Sequence, residues 1–345
     1  HVAMLNYSLR HSYSFNRWKN AVNIMIEKEP GNSKIHRLRV IHIYEADYNF
    51  LLQAKWHALI QHAEIKETLH PGQYGGRSGR DAKILVFLEE LKTEICYASR
   101  KSLINFDNDA ASCYNRIIPA LARLIRRKHG LHQNIVFANA RTLKDAKYKL
   151  KTLLGVCDKF YQNCTAYPIY GTGQGSANSP VIWLIVSSTL FTCHEQNPYG
   201  ATFTTPDKSL SVALSMVGFV DDSTGQVNDF TANPQPSPAV LNKFMQYDAQ
   251  LWSDLLWISG GLLELPKCSY HHLHLSCEAK SALPWFLLAV KTVLLSTSHR
   301  NPHMRPIKPW ALESTSGQRF HAASSLTREI PGDGNTTPRE PHSRL

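Results

Sequence analysis

Two adjacent acids, Asp221 and Asp222, sit between two apolar-leaning segments and constrain the fold more than any other feature. Residues 210–217 and Phe219-Val220 precede the pair, and Ser223-Thr224-Gly225 follows it. This pattern predicts a strand, a tight turn and a return strand. Neighbouring carboxylates at the tip of an apolar hairpin repel each other, so a cation bound there would stabilise them. Because Asp is also a common turn former, a solvated hairpin turn is the alternative interpretation.

A second acidic segment lies upstream and ends in Asp107-Asn108-Asp109. Apolar residues lead into it, and a helical pattern over residues 117–125 follows it, which predicts a strand that ends in acids and then a helix. Asp107 and Asp109 alternate on the strand, so they share one face. Two-metal phosphoryl transfer needs oxygen ligands from separate elements, and Asp109 together with the Asp221-Asp222 pair supplies them. For Asp107, solvation or an ion pair with an Arg is the alternative.

A glycine-rich segment, residues 171–180, lies between the two acidic segments. We expect Ser179 to be the N-cap and Pro180 the first residue of a helix that runs to Phe191. Glycines before a helix let a ligand approach the backbone closely, and Gln174 would hydrogen-bond a nucleotide or a template strand. The spacing fits neither the P-loop nor the dinucleotide-binding pattern.

In this order, the segments resemble the sequence motifs of the reverse transcriptases. Residues 106–115 are similar to motif A, in which a metal-binding Asp is followed five positions later by an aromatic residue, here Asp109 and Tyr114. Residues 173–180 are similar to motif B, residues 219–222 to motif C, and residues 259–268 to motif D with its Lys. Each motif alone is weak, but four in the family order are specific.

The resemblance implies a role for each matched residue. Asp109, Asp221 and Asp222 would hold two Mg²⁺ ions, with Mn²⁺ as an alternative ion, and the Ala110 carbonyl would complete the coordination. Tyr114 would lie below the sugar and reject a 2′ hydroxyl. Lys267 would act near the leaving pyrophosphate, and Gln174 and Gly175 would contact the substrate.

Basic residues upstream of motif A resemble the fingers segment of the same family. Lys28 and Arg39 would meet the incoming triphosphate, because a phosphate is well matched by a guanidinium or an ammonium. The glycine- and Arg-bearing turn at residues 73–80 resembles the family's template-contacting turn.

The fold class implied is α+β, a right-hand polymerase with an antiparallel palm sheet backed by helices. We expect fingers over residues 1–104 and the palm over residues 105–275. Residues 276–345, rich in Ser, Thr, His, Pro and Arg, are expected to form a poorly ordered tail in place of a thumb that is missing or degraded. The chain begins at His1 without Met, so we expect it to be a fragment.

Composition agrees with a nucleic-acid partner. The formal net charge is +11 at pH 7 and the pI is about 9.3, which favours a polyanion. No apolar run reaches the roughly 20 residues that a membrane span needs, and no signal peptide is visible. Seven cysteines without CxxC pairs argue against a disulfide framework. We therefore expect a soluble intracellular protein of the cytoplasm or nucleus, with no membrane partner and no evidence for an oligomer.

The function predicted is RNA-directed DNA synthesis, with an RNA template, a DNA primer and deoxynucleoside triphosphates (dNTPs) as partners. The segments at Trp18-Lys19 and residues 27–31 look most like the retroelement enzymes of non-LTR type, with group II intron maturases next. Two other hypotheses stay open. Asp107-Asn108-Asp109 is a DxD that would hold a metal and a nucleotide sugar in a glycosyltransferase, and the chain would otherwise be an inactive retroelement relic that binds nucleic acid.

Overall fold

The computed structural model describes residues 1–34, 37–152, 154–164, 171–205, 207–228 and 236–273, which form a mixed α+β fold. The helices are α1 (Val2–His11), α2 (Ala46–Ile65), α3 (Ala82–Ser99), α4 (Cys113–Arg116), α5 (Pro119–Lys128), α6 (Gln133–Lys144), α7 (Ser179–His194) and α8 (Pro238–Ile258). The strands are β1 (Asn20–Glu27), β2 (Leu38–Ile43), β3 (Leu103–Asp109), β4 (Lys147–Thr152), β5 (Gly155–Gln162), β6 (Ala201–Thr204), β7 (Ser211–Leu214), β8 (Met216–Phe219), β9 (Asp222–Val227) and β10 (Ser269–Leu273).

The sheet that carries the acids is antiparallel, with strand order β10-β3-β9-β8. Helix α8 packs against β3 and β9, and α7 packs against β8. Helix α7 is apolar on every side and almost wholly buried, as expected for a helix inside a core. An antiparallel sheet backed by helices is therefore present around the candidate site.

A second sheet has strand order β2-β1-β4-β5, in which β1 and β4 run parallel. Its strands come from both sides of β3 in the chain, since β4 and β5 follow β3 and α4 to α6. This sheet is therefore not built from residues 1–104 alone. The tail predicted for residues 276–345 lies outside the described residues.

The predicted hairpin at the adjacent acids is confirmed as β8 and β9, but the strand expected before it is wrong in part. Residues 211–214 form β7, which pairs with β6 in a separate two-stranded sheet. Ser215 separates the two strands, and its carbonyl accepts a hydrogen bond from the Gln226 N–H of β9 at 3.0 Å. From Ser215 onward the run is bonded to β9, whereas residues 211–214 pair with β6, so the apolar run is split between two sheets.

The helix predicted after β3 begins two residues later than its apolar pattern indicates. The Ile118 N–H donates to the Ser259 carbonyl at 2.9 Å, and the Ile117 carbonyl accepts from the Gly171 N–H at 3.0 Å. Both backbone groups are thus used by distant segments. Helix α5 starts at Pro119, a residue favoured in the first turn because it has no N–H to satisfy.

Within the described ranges, no helix is long and apolar enough to cross a membrane. The six cysteines in those ranges are all free thiols.

The close fit between Phe106 on β3 and Gly225 on β9 predicts a stability effect. The two residues face each other across the ladder, and a Cβ on residue 225 would lie 1.9 Å from Cζ of the buried Phe106 ring. We expect Gly225→Ala to lower the free energy of unfolding by about 1–3 kcal/mol, because the core has no room for the methyl group. The measurement is the midpoint of urea unfolding at an unchanged m-value.

The double variant provides the control. Phe106→Leu alone should destabilise the protein by leaving space, but in the Gly225→Ala background it should recover part of the loss because the new methyl group then fits. Strictly additive effects would show that the two residues do not compete for space.

Candidate active site

The antiparallel register of β3 and β9 places Asp109 directly opposite Asp222. Directly opposed residues have Cβ atoms about 4.5–5.5 Å apart and project from the same face of the sheet. Asp107 lies on this face too, two residues before Asp109. The structure thus brings together acids separated by more than a hundred residues in the chain.

Asp221 lies in the two-residue turn that joins β8 to β9, beside Val220. Val220 has a φ of 61°, which is rare for a β-branched residue. Its carbonyl accepts a hydrogen bond from Nε1 of Trp183 at 2.5 Å, and Gly75 approaches its backbone so closely that a Cβ at residue 75 would lie 2.2 Å from the Val220 nitrogen. Neighbouring elements therefore hold the turn in a strained conformation, as is common at functional sites.

The carboxylates of this site repel each other. Partial burial raises the pKa of the Asp222 carboxyl, and the charges of Asp221 and Asp109 raise it further. Nζ of Lys267 lies 2.5 Å from Oδ2 of Asp109, and this hydrogen bond raises the pKa of the Lys267 ammonium. One ammonium therefore faces three carboxylates, and a divalent cation would relieve the remaining repulsion.

The donor chemistry fits Mg²⁺, which takes hard oxygen ligands and keeps several waters. The Ala110 carbonyl is not consumed by the β-bridge between Ala110 and Leu263, because the bridge's two hydrogen bonds run from Ala111 N–H to Leu262 and from Glu264 N–H to Asp109. In the part of the chain that the structure describes, no three His, Cys, Asp or Glu side chains are grouped closely enough to hold a metal ion. Asp109 and Asp222 thus provide two facing oxygen donors but not a complete set of metal ligands.

Asp107 has other partners although it shares a face with Asp109. Its Oδ1 accepts a hydrogen bond from Oγ1 of Thr224 at 2.8 Å, and its Oδ2 lies 3.3 Å from Nε2 of His271. The hydrogen bond to Asp107 raises the pKa of His271. These contacts give Asp107 a structural explanation that needs no metal.

Tyr114 and the glycine-rich loop adjoin the acids. Tyr114 lies in the short helix α4, and its pKa rises to about 12, chiefly through burial and then through the charges of Cys113 and Asp221. The Thr172 N–H donates to the Tyr114 carbonyl at 2.8 Å. A Cβ on residue 171 would lie 2.3 Å from the same carbonyl, so only glycine fits there. The segments that resemble motifs A, B and C therefore meet at one place.

Gln174 and Gly175 are joined to the second sheet. The Gln174 carbonyl accepts a hydrogen bond from the His42 N–H at 2.6 Å, and a Cβ on residue 175 would lie 2.4 Å from the His42 carbonyl. With a φ of 105°, Gly175 also has a backbone conformation that other residues avoid. Contact with β2 is thus a structural reason for this glycine, and its substrate contact stays a prediction.

Ser179 is not the N-cap of α7 as predicted, because Asn178 holds that position. The Ser179 hydroxyl turns back and donates to the carbonyls of Thr172 and Gly173, at 3.1 and 2.7 Å. It stabilises the glycine-rich loop instead of the first turn of the helix, which otherwise forms as expected and runs to His194.

Lys28 and Arg39 belong to the β1–β2 hairpin, in the sheet that does not carry the acids. Arg39 is exposed and pairs in register with Ile26, and the Lys28 N–H donates to the Arg37 carbonyl at 3.0 Å. In the described ranges, the ion pair to Asp109 comes from Lys267 and not from either of these residues. Their contact with a triphosphate stays a prediction.

Three residues that brace the hairpin or the loop were not identified as such from the sequence: Gln73, Trp183 and His42. Nε2 of Gln73 donates to Ser187 at 2.8 Å, while the Tyr74 N–H donates to Gly218 of β8 at 2.8 Å. The turn expected to touch a template is therefore packed against the hairpin. Gly75 is the local signal for this close packing, since a Cβ there would meet the Val220 backbone.

No family model and no curated protein matches the chain. Several solved structures overlap with it in part. Telomerase from Candida tropicalis with a TWJ fragment of telomeric RNA is 13% identical, with a TM-score of 0.49 over 81% of this chain and 45% of that one. A C-terminally truncated apo form is 12% identical, with a TM-score of 0.49 over 80% and 55%. Telomerase from Candida albicans with the same RNA fragment is 10% identical, with a TM-score of 0.47 over 78% and 43%.

The chain thus spans about half the length of these telomerases. Similarity at this level establishes neither family nor activity, and the functional assignment rests on the geometry of the site.

The raised pKa of Asp222 predicts a pH-dependent gain in stability when its charge is removed. A carboxyl with a raised pKa stabilises the folded state below its unfolded value, about 3.9, and this contribution is lost as the pH rises through the folded value. In a chelating buffer at pH 7, we expect Asp222→Asn to unfold at a higher urea concentration than the parent protein. The difference should shrink as the pH falls to about 4.

Addition of Mg²⁺ gives the second comparison. The cation should stabilise the parent protein but not Asp222→Asn, since ligand binding stabilises only a chain that holds the ligand. A variant that is less stable at both pH values would show that the acids do not repel each other as described.

Proposed function

We propose that this chain is an RNA-directed DNA polymerase that extends a primer 3′ end with dNTPs and releases pyrophosphate. The observation that carries the proposal is the register of β3 and β9, which sets Asp109 opposite Asp222 beside Tyr114 and the glycine-rich loop. Carboxylates from separate strands are what two-metal nucleotidyl transfer requires.

Asp109 and Asp222, with Asp221 and the Ala110 carbonyl, are the residues that would hold two Mg²⁺ ions. The chemistry that Mg²⁺ supplies in such a site is activation of a hydroxyl and neutralisation of phosphate charge. The acids themselves position the reacting groups, since their strands are fixed in the sheet. Tyr114, whose hydroxyl is affected by the charge of Asp221, would contact the sugar of a bound nucleotide.

Lys267 has two roles in this proposal. Its ion pair with Asp109 supplies positive charge to the acids, and the hydrogen bond to Asp109 raises the pKa of its ammonium. If Asp109 held a metal, Lys267, whose side chain is largely exposed, would be free to serve as a counter-charge or proton donor for the leaving pyrophosphate.

The remaining substrate contacts rest on charge and on the resemblance. Lys28 and Arg39 are exposed cations suited to a triphosphate, and Gln174 lies in the loop that touches both Tyr114 and His42. The net charge of +11 favours the polyanionic template and primer. A retroelement enzyme of non-LTR type is the finer form of the proposal.

The partners of Asp107 favour this function over a DxD glycosyltransferase. That enzyme would use Asp107 and Asp109 together and would not need Asp222. Asp107, however, accepts a hydrogen bond from Thr224 and lies close to His271. The structure instead pairs Asp109 with an acid on the neighbouring strand.

Neutral variants of the three acids on this face test which of them serve nucleotide transfer. We expect Asp109→Asn or Asp222→Asn to lower primer extension on an RNA template by about a hundredfold or more, because a charged ligand is lost from the reacting centre. Asp107→Asn is the matched control, on the same strand face, and should retain activity within a few-fold. The measurement is single-nucleotide incorporation with Mg²⁺ by protein whose unfolding is still cooperative.

An equal loss in Asp107→Asn would show that Asp107 also serves the reacting centre, and full incorporation by Asp222→Asn would exclude Asp222 as a metal ligand. If the folded parent protein incorporates nothing, the polymerase proposal fails.

The position of Tyr114 predicts a role in sugar selection. We expect Tyr114→Ala to raise the ratio of ribonucleotide to deoxynucleotide incorporation at least about tenfold, because removal of the ring leaves space for a 2′ hydroxyl. Tyr114→Phe keeps the ring and should keep the selectivity. If Tyr114→Phe loses selectivity as fully as Tyr114→Ala, the hydroxyl rather than the ring is responsible.

A further inference from the structure

A cavity of about 380 Å³ lies where α5, α6, β2 and β4 meet the glycine-rich loop. Pro119, Arg123 and Arg126 face it from α5, at positions that share one side of a helix. Residues 137, 140, 141 and 144 do the same from α6. The volume lies within the range of small-molecule binding sites.

Four cations line this cavity: Arg123, Arg126, Arg141 and Lys144. No Asp or Glu is among the described residues that line it, and the ion pairs of the described chain include none of the four. A group of cations without carboxylate partners favours an anionic ligand.

Arg126 strengthens the case for an anionic ligand, because this charged residue is only 3% exposed. Its guanidinium donates to the Ala122 carbonyl and to Oδ1 of Asn139, both at 2.9 Å, and lies over the Trp56 ring at 5.3 Å. All three partners are neutral. A buried charge is costly unless an opposite charge is near, and a phosphate is well matched by the planar fork of Arg.

Part of the lining is aromatic. Tyr44 and Tyr148 line the cavity with His42, and the partly exposed ring of Phe137 lines it from α6. Nδ1 of His42 is buried and has no hydrogen-bond partner in the described chain. Burial lowers the pKa of His42 to about 4, so the neutral imidazole offers Nδ1 as a donor or acceptor. Flat rings beside an unused polar atom suit a heterocyclic base.

We propose that this cavity binds a nucleoside phosphate, with the phosphate held by Arg123, Arg126 and Lys144 and the base against the aromatic part of the lining and His42. The ligand is a free nucleotide or one nucleotide unit of a single strand, since both carry the same chemistry. The described residues that line this cavity do not include Asp109, Asp222, Lys28 or Arg39. Its occupancy does not depend on the proposed polymerase activity.

The two sites meet through the loop. Gly171, Thr172 and Gly173 line the cavity, and Thr172 also donates to the Tyr114 carbonyl. A ligand that fixes the conformation of this segment would therefore also affect the position of Tyr114.

The test is equilibrium binding in a chelating buffer, where the carboxylate site cannot hold a metal-bound nucleotide. The probes are adenosine 5′-monophosphate, adenosine and a short oligodeoxythymidylate, measured by calorimetry with the full chain. We expect Arg123→Glu to weaken binding of the monophosphate or of the oligonucleotide at least about tenfold. Arg127→Glu is the matched control, since Arg127 has the same charge on the same helix but is exposed and does not line the cavity.

The probes identify the source of the ligand. Binding of the monophosphate supports a free nucleotide, and binding of the oligonucleotide alone supports a strand. Equal binding of adenosine and its monophosphate, equal loss in Arg127→Glu, or no binding of either phosphate probe overturns the proposal. The Asp109→Asn, Asp222→Asn double variant should bind as the parent does, so that failure of the polymerase assignment is seen separately.

Discussion

The pairing of β3 with β9 is the constraint on which the site depends. It opposes Asp109 and Asp222, and like charges directly opposite each other destabilise a sheet. A slip of one residue would remove the clash, but it would also turn Phe106 out of the core. The ring of Phe106 fills the space that Gly225 leaves on the facing strand. Apolar packing on one face thus fixes the charge arrangement on the other.

In the β8–β9 turn, packing by neighbouring residues likewise stabilises an unfavourable backbone conformation. Val220 takes a conformation that suits Asn or Gly far better, and no local signal in the chain favours it. Trp183 from α7 and Gly75 from the turn before α3 hold it from two sides. The placement of Asp221 and Asp222 therefore depends on residues from two separate segments outside the hairpin.

Local pattern predicted the elements that bear the acids, because alternation and helical periodicity are properties of short segments. Strand β3, the hairpin and helix α7 form close to where they were expected. The departures share one cause, which is a hydrogen bond made outside the predicted element. Ser215 bonds to β9, Ile118 bonds to Ser259, and Ser179 bonds back to the glycine-rich loop, and each bond overrides the local preference. The ion pair of Lys267 with Asp109 is of the same kind, since only the fold brings residues so far apart in the chain together.

The glycines of the loop show how one pattern can serve two interpretations. Glycines before a helix suggest room for a ligand, yet the space beside Gly171, Gly173 and Gly175 is occupied by other parts of the protein. A Cβ at these positions would lie 2.7 Å or less from the Tyr114 carbonyl, the Tyr44 hydroxyl and the His42 carbonyl, respectively. Their absent side chains let the loop touch α4 and β2 at once. The loop therefore couples the carboxylate sheet to the β2-β1-β4-β5 sheet, and contact with these two elements explains its glycines without a ligand.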